Sequence, residues 1–235
     1  MLFPFPILYP AVFEERLNRF AARARLSPSG EELLLHVPNS GRMKELLLPG
    51  TPIWYAPRPS GGKTQGTLWL AQAPETLVAV HSLLANWAAG AALEKGLIRE
   101  LSDYSVAKRE AKKNQSRFDF LLSRRSSGEA LWLEVKSVNL VNEGRGLFPD
   151  APTERGVRHL EELTALSVSG VKTGVLFMHL RDDAREFAPY TAIHPEFTQA
   201  LKTAMQSGVG CWAYALKITR EGVTGLDYVA LGENW

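Results

Sequence analysis

Apolar residues recur at two different spacings along this chain, and the change of spacing divides it. From residue 1 to about 80 the apolar runs are short and punctuated by proline and glycine. Leu33 to Val37 and Pro52 to Ala56 predict strands, with turns at Asn39-Ser40-Gly41 and Pro49-Gly50. After a loop from Pro57 to Gly66, Thr67 to Ala71 and Thr76 to Val80 predict a strand pair. Short strands at this density suit a small β-barrel. From Ser82 to Leu101 the spacing turns helical, with Leu83, Leu84, Trp87, Ala91, Leu97, Ile98 and Leu101 on a buried stripe. Gly90 and Gly96 interrupt that stretch.

Strand spacing then returns. Phe118, Phe120 and Leu122 alternate with Arg117, Asp119 and Leu121, and Leu131, Leu133 and Val135 with Trp132, Glu134 and Lys136. Thr153 is placed to cap a helix running to about Ser169 and ended by Gly170. Val171 to Leu180 predicts a strand, Pro195 opens a helix ending at Gly208, and Val209 to Ile218 predicts another strand. Strand, helix, strand implies a right-handed parallel crossover. The expected architecture is a barrel over residues 1–80 and an α/β domain with a mixed sheet over 81–235.

Composition narrows the class. With 45% hydrophobic and 22% charged residues, the chain reads as a globular protein. No apolar run approaches the roughly 20 residues a membrane span needs. Met-Leu-Phe-Pro-Phe-Pro at the start lacks a basic flank and is broken by prolines, so it does not read as a signal peptide. The expected location is cytoplasmic, with no membrane partner. The single cysteine, Cys211, excludes a disulfide within the chain and a cysteine-based zinc site. Beside Trp212 and Tyr214 it reads as a buried structural thiol.

A net charge of +2 identifies no partner, but its distribution says more. Lys108, Arg109, Lys112, Lys113, Arg117, Arg124 and Arg125 are opposed in their segment only by Glu110 and Asp119. Such a run would draw a polyanion such as nucleic acid. A solvated surface is the competing reading.

The chemistry lies beside that run. Ser126-Ser127-Gly128 is turn chemistry. A hairpin symmetric about the Ser126–Ser127 bond sets Asp119 opposite Glu134 on one face, with Cβ atoms about 5 Å apart. Lys136, two residues beyond Glu134, shares that face. Two close carboxylates call for a cation between them. Mg2+ (or Mn2+) held by Asp119, Glu134 and the Val135 carbonyl would polarise a phosphoryl oxygen and acidify an attacking water. An ordinary surface salt bridge is the plainer alternative. No P-loop and no dinucleotide fingerprint is present, which disfavours a small phosphorylated substrate.

Several stretches resemble the sugar fermentation stimulation protein A family over nearly the full length. They are His36-Val37-Pro38-Asn39-Ser40-Gly41-Arg42-Met43, Arg117-Phe118-Asp119-Phe120, Glu134-Val135-Lys136-Ser137-Val138, and Phe148 to Gly156 with His159-Leu160 and Glu162-Leu163. The resemblance implies an OB-fold barrel followed by a PD-(D/E)xK nuclease-like domain. It makes Asp119, Glu134 and Lys136 metal-binding and catalytic, although Phe118 stands where that superfamily has proline. It also calls for a further helical acid: Glu100 is expected, with Glu110 as rival. Arg155 and His159, four apart near a helix start, are expected at a phosphate or in a structural role. In the first domain Arg16, Arg19 and Arg23 are expected at phosphates, with Phe13 and Phe20 either stacking on bases or filling the core. The implied function is metal-dependent DNA cleavage, with single-stranded regions held by the barrel. The alternative is a non-cleaving DNA-binding regulator of sugar metabolism. Either a monomer or a homodimer fits.

Overall fold

A computed structural model describes residues 1–58, 62–113 and 116–233. Residues 59–61 of the predicted loop and 114–115 of the basic run lie outside them. The chain opens with a two-residue strand, β1 (Phe3–Pro4). Six strands follow: β2 (Tyr9–Asn18), β3 (Ala21–Leu26), β4 (Glu32–His36), β5 (Pro52–Pro57), β6 (Gly66–Gln72) and β7 (Leu77–Ala79). They pair in the order β4-β3-β2-β5-β6-β7, and β4 also pairs with β6. That last pairing closes five strands into a barrel, the OB fold. Ala11, Phe13, Ala22, Ala24, Leu35, Ile53 and Leu68 fill its interior. Phe13 is therefore core, whereas Phe20 is half exposed at the β2–β3 turn. The strand β1 departs from the expected division of the chain, because it pairs with the last strand of the other domain.

The second domain begins with α1 (Leu84–Glu94). The predicted helix to Leu101 is cut short. Gly96 adopts φ +65, a left-handed conformation that ends a helix readily, and a separate 3-10 turn covers Arg99–Leu101. Next come β8 (Tyr104–Lys113), β9 (Ser116–Arg124), β10 (Ala130–Val138), β11 (Leu140–Asn142), β12 (Arg145–Phe148), α2 (Glu154–Val168), β13 (Lys172–His179), β14 (Glu186–Pro189), α3 (Pro195–Gln206), β15 (Gly210–Thr219) and β16 (Gly222–Leu231). Thr153 caps α2 as expected, its hydroxyl accepting from Gly156 N at 3.1 Å.

The main sheet path runs β11-β12-β14-β16-β15-β13-β10-β9-β8. Strand β13 is parallel to β10 and to β15, while β9 is antiparallel to β10, so the sheet is mixed. Helix α1 packs on one face, and α2 with α3 on the other. Covered on both faces, β10 buries Leu131 through Val135 without interruption, although its sequence alternates. Cys211 packs against the α2–α3 core, and burial pushes its thiol up to about 12, which makes it a poor nucleophile. No helix among the described residues is long and apolar enough to cross a membrane.

The barrel docks on the α1 side, where Trp69, Leu70 and Ala79 join the core of the second domain. Polar bonds fix the junction. Buried Asn39 donates to the Val80 carbonyl at 3.0 Å and to Asn139 Oδ1 at 3.2 Å, and Asn139 donates to the Ala79 carbonyl at 2.6 Å. Asn39→Ala would remove the donor to the Val80 carbonyl and to Asn139 Oδ1, so a loss of about 1–3 kcal/mol is expected. Urea unfolding measures it, and an unchanged midpoint would mean that the junction carries no such load.

Candidate metal-dependent active site

The β9–β10 hairpin has the expected register. Ala130 pairs with Ser123 and Leu133 with Phe120, so Glu134 and Asp119 are next in line. Regular pairing ends there, and the Val135 N–H donates to Asp119 Oδ2 at 2.7 Å. Strand β9 also turns over at this point. Phe118 packs in the α2–α3 core and Phe120 in the α1 core, though residues two apart in a regular strand share a face. On the neighbouring strand Glu110 has φ +49, between the pairs Arg109↔Phe120 and Ala111↔Phe118. The irregularity lets Asp119 reach both helical layers: its Oδ1 accepts from Asn86 of α1 while the Glu134 carboxylate acts on it from the other side.

Glu134 is almost fully buried. Its Oε1 accepts from Lys136 Nζ at 2.7 Å and from His159 Nδ1 at 2.6 Å. Its Oε2 is buried with no hydrogen-bond partner. The His159 tautomer follows from its neighbours. Arg155 Nε approaches His159 Nε2 at 3.3 Å, and a guanidinium only donates, so Nε2 accepts and Nδ1 carries the hydrogen given to Glu134.

Electrostatics drive the two acids apart. Burial, then the nearby Glu134 carboxylate, push Asp119 up to about 7, against the bond from Val135, the charge of Lys136 and the bond from Asn86. Burial also pushes Glu134 up, but Lys136 and His159 outweigh it and hold this acid below its ordinary value. Folded Asp119 therefore binds a proton more tightly than the unfolded chain does. Its contribution to stability is complete below about pH 4 and is lost as pH rises through about 7. Asp119→Asn should flatten the decline in urea stability between about pH 5 and 8, measured in EDTA. An unchanged slope would place that proton elsewhere.

The remaining expected residues divide. Asp119, Glu134, Val135 and Lys136 come together. Glu100 does not join them: it accepts from the Tyr214 hydroxyl at 2.8 Å and pairs with Arg99, because α1 ends before it and the 3-10 turn carries it to β15. Its rival Glu110 is exposed on β8. His159 is not a surface contact but a buried one, held to Glu134. Arg155 remains exposed above it. Lys112 and Arg117 are exposed and face each other across β8 and β9, while Lys113 lies over the Trp132 ring at 5.5 Å. Arg16 is not free for phosphate. Its guanidinium donates to the carbonyls of Arg19, Asn39, Gly41 and Arg42 at 2.6–2.9 Å. Arg23 is engaged by Glu15 at 2.8 Å and Glu32 at 3.6 Å, whereas Arg19 is exposed. Sequence reasoning missed Asn86. Its signal was a lone polar side chain in the apolar run Leu84-Ala85-Asn86-Trp87-Ala88.

Comparison with known proteins gives the kinship. Residues 83–222 match the family model described as the sugar fermentation stimulation protein RE domain, and residues 15–80 match the SfsA N-terminal OB domain. A sugar fermentation stimulation protein homolog of Carboxydothermus hydrogenoformans is 47% identical over 216 residues, covering 91% of this chain and 92% of its own. One from Desulforamulus reducens is 42% identical over 226 residues, covering 95% and 92%. Among solved structures, Pyrococcus furiosus SfsA in complex with Ca2+ superposes with a TM-score of 0.88 at 28% identity, covering 99% of each chain. The chain belongs to the sugar fermentation stimulation protein family.

Proposed function

We propose that this protein binds DNA and hydrolyses phosphodiester bonds with the help of a divalent cation, at Asp119, Glu134 and Lys136. The observation that carries the reading is the unpartnered, buried Oε2 of Glu134 beside the Asp119 carboxylate. A buried anionic oxygen with no donor is costly, and a cation satisfies it. The donors fit a hard ion: two carboxylates, with the Val135 carbonyl as third. Among the described residues no group of three or more His, Cys, Asp and Glu is placed to hold a metal ion by itself, so water would complete the shell, as Mg2+ prefers. The Ca2+ complex of the P. furiosus relative supports a divalent ion in this family. Such an ion, when bound, polarises a phosphoryl oxygen and makes its water a better nucleophile.

The chain's own residues do the rest. His159 and Lys136 fix the Glu134 carboxylate through Oε1 and leave Oε2 for the cation. Asn86 and the Val135 N–H hold Asp119. Lys136, only 12% exposed in its side chain, sits where it can offset charge gathering on a phosphate. The exposed cations Lys112, Arg117 and Arg155 supply attraction for the polyanion.

Plasmid and single-stranded DNA incubated with Mg2+, Mn2+ or EDTA test the reading. Cleavage with metal, none in EDTA and none in the Asp119→Ala/Glu134→Ala double variant are expected. Cleavage by the double variant would remove the chemistry from this site. DNA binding with no cleavage under either metal would favour a regulator built on the same fold.

A further inference from the structure

The barrel and the second domain meet along a cleft made of two adjoining cavities. The inner, of about 270 Å3, is lined by Arg19, Ser40, Ser82, Ser137 and Thr153 among others. The outer, of about 710 Å3, is lined by Arg19, Ser40, Arg42, Lys44 and Pro152 among others. Arg19, Ser40, Gly41, Ala151 and Pro152 border both, so the two form one continuous groove.

We propose that this groove carries a single polynucleotide strand, with Arg19, Arg42 and Lys44 holding consecutive phosphates and the inner end delivering the strand to the acid pair. The idea rests on the DNA-binding reading above and specifies which form of DNA is held, and where.

Three observations carry it. First, Arg19, Arg42 and Lys44 are exposed, and among the described residues no ion pair or side-chain hydrogen bond engages them. Elsewhere Arg23, Arg25, Arg109, Arg145 and Arg181 are each matched to a carboxylate. Second, the presenting loops are fixed in advance. Arg16 donates to the Arg19 carbonyl at 2.6 Å and to the Arg42 carbonyl at 2.9 Å, so one partly buried guanidinium anchors the backbone of both free arginines. Anchored loops lose little further freedom when a ligand arrives. Third, the walls differ. The cations stand on the barrel side, while the facing run of Leu147, Phe148, Pro149, Ala151 and Pro152 is apolar apart from Asp150 and holds no cation. An unpaired strand has one charged edge and one edge of bases, which suits a groove with one cationic and one apolar wall. A duplex keeps its bases stacked inside and shows phosphates on both flanks.

The inner end is lined by residues close in sequence to those that hold the acid pair. Ser137 follows Lys136, and Ser82 lies four residues before Asn86, which holds Asp119. Thr153 caps α2, whose first turn bears Arg155. Asp150 is the one acid among the residues bordering either cavity, and Arg16 offsets its charge.

Fluorescence anisotropy with a labelled oligo-dT strand and a duplex of equal length, both in EDTA, tests the proposal on the full chain. The variant Arg19→Ala/Arg42→Ala/Lys44→Ala should bind the single strand at least about tenfold more weakly, and its log–log salt slope should fall by about 2. Duplex affinity should change less than about threefold. A control of equal charge change outside the groove, Lys172→Ala/Arg185→Ala/Arg220→Ala, should stay within about threefold for both. The charge-keeping variant Arg19→Lys/Arg42→Lys should retain most single-strand binding, which separates lost phosphate contacts from lost fold. Single-strand binding unchanged in the triple alanine variant, or an equal loss for strand and duplex, would overturn the groove while leaving DNA binding in place. Wild-type protein that binds neither probe would overturn the DNA-binding reading and the groove with it.

Discussion

Glu134→Gln should leave a folded protein whose metal-dependent cleavage has dropped on the order of a thousandfold or more. The glutamine carbonyl can still accept from Lys136 and His159, as Glu134 Oε1 does, so the packing around it survives. What disappears is the charge and the free oxygen proposed to recruit the cation. A cation's share of transition-state stabilisation is several kcal/mol, and each 1.4 kcal/mol is about tenfold in rate. Glu134→Ala is a harsher change. It removes the oxygen that accepts both hydrogen bonds and leaves a mostly buried Lys136 ammonium unpaired, a destabilisation of about 3–5 kcal/mol. Comparing the two by thermal melting and by cleavage rate separates charge from fold. Full activity in Glu134→Gln would show that this carboxylate is structural.

His159 should prove to be a positioning residue. Outer partners of metal ligands typically affect affinity by about 10–100-fold. His159→Leu is therefore expected to weaken Mn2+ binding by that factor in the absence of DNA, and to slow cleavage at low metal more than at saturating metal. His159→Asn places an amide N–H near the lost Nδ1 and should recover most of the affinity. A role confined to core packing would not favour Asn over Leu. Nitrogen NMR of the ring should find the proton on Nδ1 and not on Nε2, because Arg155 occupies Nε2 as donor. Equal Mn2+ affinity in wild type and His159→Leu would contradict the role.

The hairpin was legible because three local signals agree: turn residues at Ser126-Ser127-Gly128, alternation on both strands, and equal arm lengths. Helix α2 was legible from its Thr153 cap and Gly170 stop. Other parts were hidden for identifiable reasons. Register shifts between Phe13 and Glu15 and between Arg16 and Asn18 blur the two-residue period of β2. The short strands β11, β12 and β14 hold three or four residues each, too few to show a period. Arg16 looked like a phosphate ligand because sequence shows a charge but not the five carbonyls that surround it. The four-residue spacing of Arg155 and His159 showed a shared helix face, but the partner of His159 lies on a different element, 25 residues away. The Asn39–Asn139 contact spans 100 residues and leaves no local trace at all.

The arrangement also explains why an irregular strand occupies the centre of a well-packed domain. A regular β9 would hold Phe118 and Phe120 on one face, and Asp119 on the other. The break at Asp119 sends the two rings into separate cores and points the carboxylate at Asn86 and the Val135 amide. Packing on both sides of the sheet thus holds the acid pair in place.

A crystal soaked in Mn2+ and measured at the manganese edge tests the central claim most directly. The expected result is one anomalous peak in contact with a carboxylate oxygen of Asp119 and with Oε2 of Glu134. No peak there at saturating Mn2+, with the Lys136 ammonium filling the space between the two acids, would contradict it.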